Sequence, residues 1–240
     1  MKASRLSQKL HKWLGLLVGL QLLIWTLSGL YMVVIDIDII HGDHLVVEPS
    51  NQLDLIDWPS LPPTLFETLA KANPEAQSIS LNLLRSQLMY HVDNPNKTTL
   101  YDAKSGLTVA DLTVEEAHQQ AQQYYAGDAE ISSATLIEAN PPSEIGSRAL
   151  PLWRIDFDDI WGSSLYISPQ TGELVSKRHT LWRVFDFAWM LHIMDYDERE
   201  NVNNGILRIT SSLALLLVFS GVWYLYFRLN LGRIWRRKAQ

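Results

Sequence analysis

Two long apolar runs frame a central stretch in which apolar and polar positions are mixed. Residues 13–35 and 209–227 contain no charged side chain. The first run has 23 residues, which form about 35 Å of helix, enough to cross the hydrocarbon core of a bilayer. The pattern predicts two membrane-spanning helices, at 13–35 and 206–228, with one extramembrane domain between them.

The central stretch contains the same order of elements twice. Each copy starts with a helix that ends at a turn signal, Asn73-Pro74 or Gly127-Asp128, and continues into short strand-like segments. Thr113 and Glu116 form the pattern of an N-terminal capping box for the second helix. The predicted elements are helix 64–72 with strands 78–84, 87–92 and 98–102, then helix 114–125 with strands 131–137, 152–156 and 163–168.

The repeat is clearest where a strand meets a turn. The segment LYDAKSG (100–106) parallels LYISPQTG (165–172), with one residue inserted. Both are strands that end in a glycine-containing turn and lead into another strand, which is a hairpin signal.

Charge assigns an orientation to these elements. All 26 acidic residues lie between Asp36 and Glu200, so residues 36–205, with 10 Lys and Arg, carry a net charge of −16. The ends of the chain carry the other 10 basic residues and no acid. Since basic flanks stay in the cytoplasm, we expect both termini inside and the acidic domain outside. A domain this acidic is not expected to bind nucleic acid through phosphates.

A cleaved signal peptide is the alternative to a first membrane anchor. Its apolar region is normally shorter and ends in an A-x-A-like site, whereas this chain has no Ala between Ala3 and Ala70. We therefore favour an uncleaved anchor. The absence of cysteine excludes disulfides, zinc–thiolate sites and covalent haem attachment.

Several segments together resemble a known family. The second half of the central domain, at LPLWRIDF (150–157), LY (165–166) and TGELV (171–175), is similar to the PepSY domain. The flanks resemble PepSY-associated membrane segments at LHKWLGL (10–16), WTLSGL (25–30), LH (191–192) and FSG (219–221). The resemblance implies an α+β membrane protein in which two transmembrane helices flank an extracytoplasmic tandem PepSY-like domain, a helix plus antiparallel sheet twice.

The resemblance also carries functional expectations. Larger relatives have four spans and include ferric-siderophore reductases that hold b-type haem on histidines. With two spans, this chain corresponds to half of such a unit. Two spans with an exported PepSY pair suit a bacterial inner membrane. The expected segments are a cytoplasmic N-terminus (1–12), a first span (13–35), periplasmic halves (36–112 and 113–178), an interfacial helix (179–196), a second span (206–228) and a cytoplasmic tail (229–240).

His11 is the first candidate haem ligand. On an ideal helix it shares a stripe with small residues, including Gly15, Gly19 and Gly29. Small residues let a macrocycle or a second helix approach closely. The stripe therefore fits an axial haem ligand, and it equally fits an interfacial histidine beside glycine-mediated helix packing.

Four more histidines are expected on the outer side. His41 and His44 follow the first span, while His179 and His192 precede the second. The largely apolar segment 181–194, near whose end His192 lies, is too short to cross a bilayer, so it is predicted to be interfacial or re-entrant. Two of the four histidines could ligate one iron. The alternative for His41, His44 and His179 is an exposed loop position.

A full span separates His11 from the outer group, so they are not expected to share a metal. An inner haem on His11 would need a second ligand from another chain, which predicts a homodimer or a partner membrane subunit. Two functions therefore stay open: a b-type haem redox subunit, and a PepSY module that binds a peptide, protease or membrane partner through sheet edges. No familiar hydrolase, nucleotide or dinucleotide motif occurs in the sequence, which leaves enzymatic activity undecided.

Overall fold

A computed structural model describes residues 2–47, 61–85, 87–95 and 97–229. The chain divides into two compact units. The helical unit comprises residues up to Ile37 and from Val184 onward, and the sheet unit comprises Asp38–Arg183.

The helical unit contains helix α1, Lys2–Val34, and helix α6, Gly205–Arg228. They pack against each other and run antiparallel, since His11 lies beside Gly221 and Gly15 beside Leu217. Both are long and apolar enough to cross a membrane, with mean hydropathy 1.9 and 1.8 in their most apolar windows. Most of their leucines point away from protein contacts, as expected for helices solvated by lipid.

A shorter helix precedes α6. Helix α5, Thr180–Ile193, is followed by a turn that side chains fix in place. Within that turn Arg199 pairs with Asp186 and its carbonyl accepts from Trp189 Nε1 at 3.0 Å. Asn204 then caps α6, because its Oδ1 accepts from Leu207 N at 2.8 Å while its Nδ2 donates to Ile193 O at 2.8 Å.

The sheet unit begins with short helix α2, Ile37–His41, whose first residue belongs to the helical unit, and a 3-10 turn, Asp43–Leu45. Its first half places helix α3, Leu65–Ala72, on a three-stranded antiparallel sheet. Leu69, Tyr90 and Ala103 form the buried centre of this half. The strands, in the order β1-β2-β3, are β1 Ser78–Leu84, β2 Gln87–Asn94 and β3 Lys97–Asp102.

The second half repeats the plan with one more strand. Helix α4, Val114–Tyr124, buries Ala117 and Ala121 against Ile155, Leu165 and neighbouring core residues. The antiparallel sheet has the order β4-β5-β6-β7 and consists of β4 Ile131–Ile137, β5 Leu152–Phe157, β6 Ser164–Ile167 and β7 Leu174–Arg178.

The predicted repeat of helix plus antiparallel sheet is confirmed. The matching hairpin turns share one geometry: Gly106 N donates to Asp102 O, and Gly172 N donates to Ser168 O, each at 2.9 Å. Both glycines have φ near +70°, a backbone conformation that favours glycine. The predicted strand after the second turn is β7.

Arg85 ties the two halves together. Its guanidinium donates to Ala110 O at 2.9 Å, to Pro169 O at 2.6 Å and also to Gln170 O. Gly172 makes this approach possible, since a Cβ there would lie 2.9 Å from Arg85 Cγ. The second turn is therefore a docking point for the first half.

The capping box gives a stability prediction. Thr113 Oγ1 accepts from Glu116 N, and Glu116 Oε2 accepts from Thr113 N. We expect Thr113→Ala to lower the opening free energy of the first α4 amides by about 1 kcal/mol, as measured by hydrogen exchange. Thr64, the N-cap of α3, makes no side-chain cap bond, so Thr64→Ala is the matched control. Equal losses in the two helices would contradict the prediction.

Candidate functional site

One end of the α1–α6 pair contains an imidazole held by the opposite helix. His11 Nδ1 lies 3.1 Å from Ser220 Oγ. The ring lies directly against Gly221, where a Cβ would meet His11 Cε1 at 3.0 Å. Tyr224, one turn later, stacks nearly parallel to the imidazole at 6.3 Å between centroids. Helix α6 thus fixes both the position and the tilt of His11.

The other end of α1 repeats this arrangement with the roles of the helices exchanged. His192, near the end of α5, places Nδ1 3.0 Å from Ser28 Oγ of α1. A Cβ at Gly29 would lie 3.3 Å from His192 Cε1. The Trp25 ring lies against the imidazole at 5.7 Å and 56°. Each histidine therefore packs on a Ser-Gly pair of another helix, backed by an aromatic ring.

The two histidine–serine pairs lie far apart along α1. His11 and Gly29 are 18 residues apart, which corresponds to about 27 Å of helix rise. This spacing matches the hydrocarbon thickness of a bilayer, about 30 Å. The expectation that His11 and His192 occupy different sites agrees with this geometry.

The serine hydroxyls determine which ring nitrogen carries the proton. Ser220 Oγ donates to Leu217 O at 2.8 Å, and Ser28 Oγ donates to Trp25 O at 3.0 Å. A hydroxyl has one proton, so a serine that donates it to the carbonyl accepts from its histidine. This hydrogen-bonding pattern favours the tautomer with the proton on Nδ1 in both imidazoles. In the neutral ring, Nε2 then keeps a free lone pair.

This arrangement resembles that of metal-binding imidazoles, whose second ring nitrogen is held by a neighbouring oxygen. A ligating histidine usually donates its other ring N–H to an oxygen, which fixes the tautomer and the ring plane. With the proton on Nδ1, His11 and His192 both meet that condition, so these residues would fit a haem-iron ligand. Among the described residues each end supplies one imidazole, so a second protein ligand to haem iron would come from outside the helix pair.

The other candidate histidines belong to the sheet unit. His179 is fully buried, and its Nε2 donates to Ile40 O at 2.9 Å. Its ring meets that of His44 edge-on at 5.9 Å, and His44 in turn meets Trp161 at 6.2 Å. His41 is exposed on α2. Ligation by these three stays a prediction. In this arrangement His179 Nε2 is engaged by a carbonyl, and the described residues contain no cluster of three or more potential metal ligands.

His11 and His192 are candidate ligands from the sequence, whereas the serines that contact them are not predicted there. Ser28 and Ser220 entered as parts of the family resemblance, without a role. A signal was present, because a His and a Ser-Gly pair accompany each apolar run. What the sequence does not show is that each histidine bonds the serine of the other run.

Close packing at Gly221 leads to a prediction with an internal control. Gly221→Val forces the His11 ring away from Ser220, and overpacking of this kind costs roughly 1–3 kcal/mol. Gly19 lies on the same helix pair with no atom within 4 Å of its Cβ position, so Gly19→Val should be nearly neutral. Thermal unfolding of the full chain in detergent measures both. Equal shifts in Tm would contradict the close packing at His11.

Burial of His179 predicts a pH dependence of the sheet unit. Desolvation, followed by the neighbouring His44, lowers the pKa of His179 in the folded chain. The unfolded chain therefore binds a proton first as the pH falls. The stability that neutral His179 contributes is complete above about pH 6.5 and is lost as the pH falls toward the lower folded pKa.

His179→Gln retains a donor for Ile40 O and cannot titrate, so its free energy of unfolding should fall less between about pH 7.5 and 5.5. Denaturant titrations at several pH values measure this difference. His91→Gln, on β2, controls for loss of an imidazole elsewhere. Parallel pH profiles for wild type and His179→Gln would contradict the prediction.

Comparisons with known proteins agree with this architecture. The family model described as "PepSY-associated TM region" matches residues 8–240. The search of the curated proteins and the search of the solved structures found no match. The matched range contains both apolar helices, both sheets and both histidine–serine pairs. The chain therefore belongs to the PepSY-associated transmembrane family and is a membrane-associated PepSY protein with two apolar helices.

Proposed function

We propose that the protein is a b-type haem-binding electron-transfer subunit linked to iron or siderophore handling. In this proposal it is anchored in a bacterial inner membrane, with both termini in the cytoplasm and the sheet unit in the periplasm. Family membership supports the membrane anchor. The distribution of basic and acidic residues supports the orientation.

One observation carries the haem proposal: the same histidine–serine–glycine arrangement occurs at both ends of one helix pair. At each end a serine hydroxyl lies within hydrogen-bond distance of Nδ1, and Nε2 is not part of that contact. Packing alone would not require the same arrangement at two separate places. A haem-iron ligand would make use of it, because neutral imidazole binds haem iron through an unprotonated nitrogen.

The chain's own residues perform specific tasks at each end. Ser220 and Ser28 orient the imidazoles, while Gly221 and Gly29 let the rings lie against a helix backbone. Tyr224 and Trp25 limit ring rotation and exclude water. Bound haem would supply one-electron chemistry. Two such positions about 27 Å apart along the helix would place redox centres near opposite surfaces of a membrane.

The proposal includes a partner. Since each end supplies one imidazole, a homodimer or a partner membrane subunit would complete the coordination. A two-fold dimer would present His11 from both copies and restore four helices around the inner position. In this view the chain is a subunit of an electron-transfer assembly. Membrane lipid surrounds the exposed apolar side chains of α1 and α6.

A second function has its own structural support. The outer edge of the four-stranded sheet is β7, and a groove of about 450 Å³ lies beside it. An extended peptide could add to such an edge through main-chain hydrogen bonds. The protein would then be a non-enzymatic binding or regulatory module. The groove is lined by Val46, Val47, Tyr124, Glu173, Leu174, Val175, Ser176 and Lys177.

A reduced-minus-oxidised absorbance spectrum separates the two functions. After haem-replete expression we expect a Soret band that falls to about half in His11→Ala and in His192→Ala, and disappears in the double variant. His91→Ala on β2 is the matched control and should retain the full band.

Ser220→Ala provides a graded test. Loss of a second-shell partner typically costs 10–100-fold in affinity for the metal, so haem occupancy should fall while His11 remains. A purified protein without a Soret band, or a band unchanged in both histidine variants, would contradict the haem proposal and favour the binding module.

A further inference from the structure

The hairpin between β5 and β6 ends in two large apolar side chains. Ile160 is 91% exposed and Trp161 is 37% exposed. Turns are normally built from small and polar residues, and the residues around this pair follow that rule: Asp158, Asp159 and Gly162. An isoleucine with nine-tenths of its surface outside the fold therefore needs an explanation. We refer to Ile160 and Trp161 as the hairpin tip.

The hairpin tip is held rigidly. Asp159 Oδ1 accepts from Ser163 N at 2.8 Å, and its Oδ2 accepts from Ser163 Oγ at 2.6 Å and from Tyr125 OH at 2.9 Å. Gly162 N donates to Asp159 O at 3.1 Å. The backbone that presents Ile160 is thus fixed by hydrogen bonds on both sides, so its exposure is a property of the fold.

Further contacts place the hairpin tip beside the point where the chain leaves the sheet unit. Thr180 N and Thr180 Oγ1 both donate to Trp161 O, at 2.8 and 2.7 Å. Arg183 Nη1 donates to Gly162 O at 2.7 Å. The sheet unit ends at Arg183, so the last residues of the unit are bonded directly to this hairpin.

The point where the chain enters the sheet unit lies on the same side. The Trp161 ring contacts His44, His44 contacts His179, and His179 Nε2 bonds Ile40 O of α2. Two residues separate the end of α1 at Val34 from the start of α2, a reach of at most about 11 Å. Entry, exit and hairpin tip therefore lie close together within the sheet unit, and only two residues of chain separate the entry helix α2 from α1.

We propose that the hairpin tip inserts into the lipid surface of the bilayer that holds α1 and α6, as a third, non-spanning membrane contact. Tryptophan is enriched at membrane interfaces, and insertion removes the Ile160 side chain from water. Ile39 of α2, the helix at the entry point, is also exposed and apolar. This inference rests on the membrane anchor and is independent of haem.

Charge indicates which lipids the hairpin tip accepts. Asp158 is exposed next to Ile160, and the surrounding domain is strongly acidic. Attraction to anionic headgroups therefore cannot drive the contact. Burial of apolar side chains in the lipid does not require anionic headgroups. Insertion is expected in vesicles of phosphatidylcholine alone.

The absence of cysteine makes a direct test clean. Ile160→Cys introduces a single thiol at an exposed position, where the substitution should leave the fold intact. The full-length variant is labelled in detergent with an environment-sensitive fluorophore and reconstituted into phosphatidylcholine vesicles. Leu107→Cys is the matched control, since Leu107 is 70% exposed at a turn of the first half.

We expect the label at position 160 to show blue-shifted emission and strong quenching by lipids that carry a shallow nitroxide. The label at position 107 should emit as in water and show little lipid quenching. Because the quencher is carried by the lipid in both leaflets, it reports on protein molecules in either orientation in the membrane. Solvent-like emission at both positions would overturn the proposal and leave the tip as a site for a protein partner. Equal lipid quenching at both positions would also overturn it, because the contact would not belong to the hairpin tip.

Discussion

The helical unit depends on two hydrogen bonds, each between a serine hydroxyl of one helix and a histidine of another. Ser28 and Ser220 each donate to a carbonyl of their own helix, and a hydroxyl that does so accepts from the imidazole opposite. This pattern favours a proton on Nδ1 in both histidines and leaves Nε2 outside the serine contact. The adjacent glycines are needed for the same reason, because a side chain there would displace the ring. The packing of α1 on α6 and the chemistry of the histidines are thus one constraint.

The sheet unit is held together in a different way, by two small cores and a set of hydrogen bonds between them. Two small helix-on-sheet halves each bury a modest core, and neither half contains a disulfide. Arg85 links them by donating to three carbonyls beyond its own sheet, across the turn that Gly172 makes open. A half-buried guanidinium with several acceptors can replace apolar contact where the two halves meet. The repeat therefore behaves as one compact domain.

Local features of this fold could be read from sequence, while pairings between distant segments could not. The capping box at Thr113 and Glu116, both glycine-containing turns and the short strand segments depend on neighbours within a few positions. Short helix α2 was not predicted, because five residues carry too little periodicity to be recognised. The bonds from His11 to Ser220 and from His192 to Ser28 join residues 209 and 164 positions apart. Sequence placed the histidines on the correct elements but contained no information on their partners.

The tautomers of His11 and His192 can be measured directly, and they test whether the serines hold both imidazoles with the proton on Nδ1. Nitrogen-15 NMR of histidine-labelled, haem-free protein in nanodiscs, at about pH 8 where an ordinary imidazole is neutral, distinguishes the two tautomers. Assignment comes from loss of signals in His11→Ala and His192→Ala. The account predicts that both residues carry the proton on Nδ1 and have an unprotonated Nε2. A proton on Nε2 in either residue would contradict it.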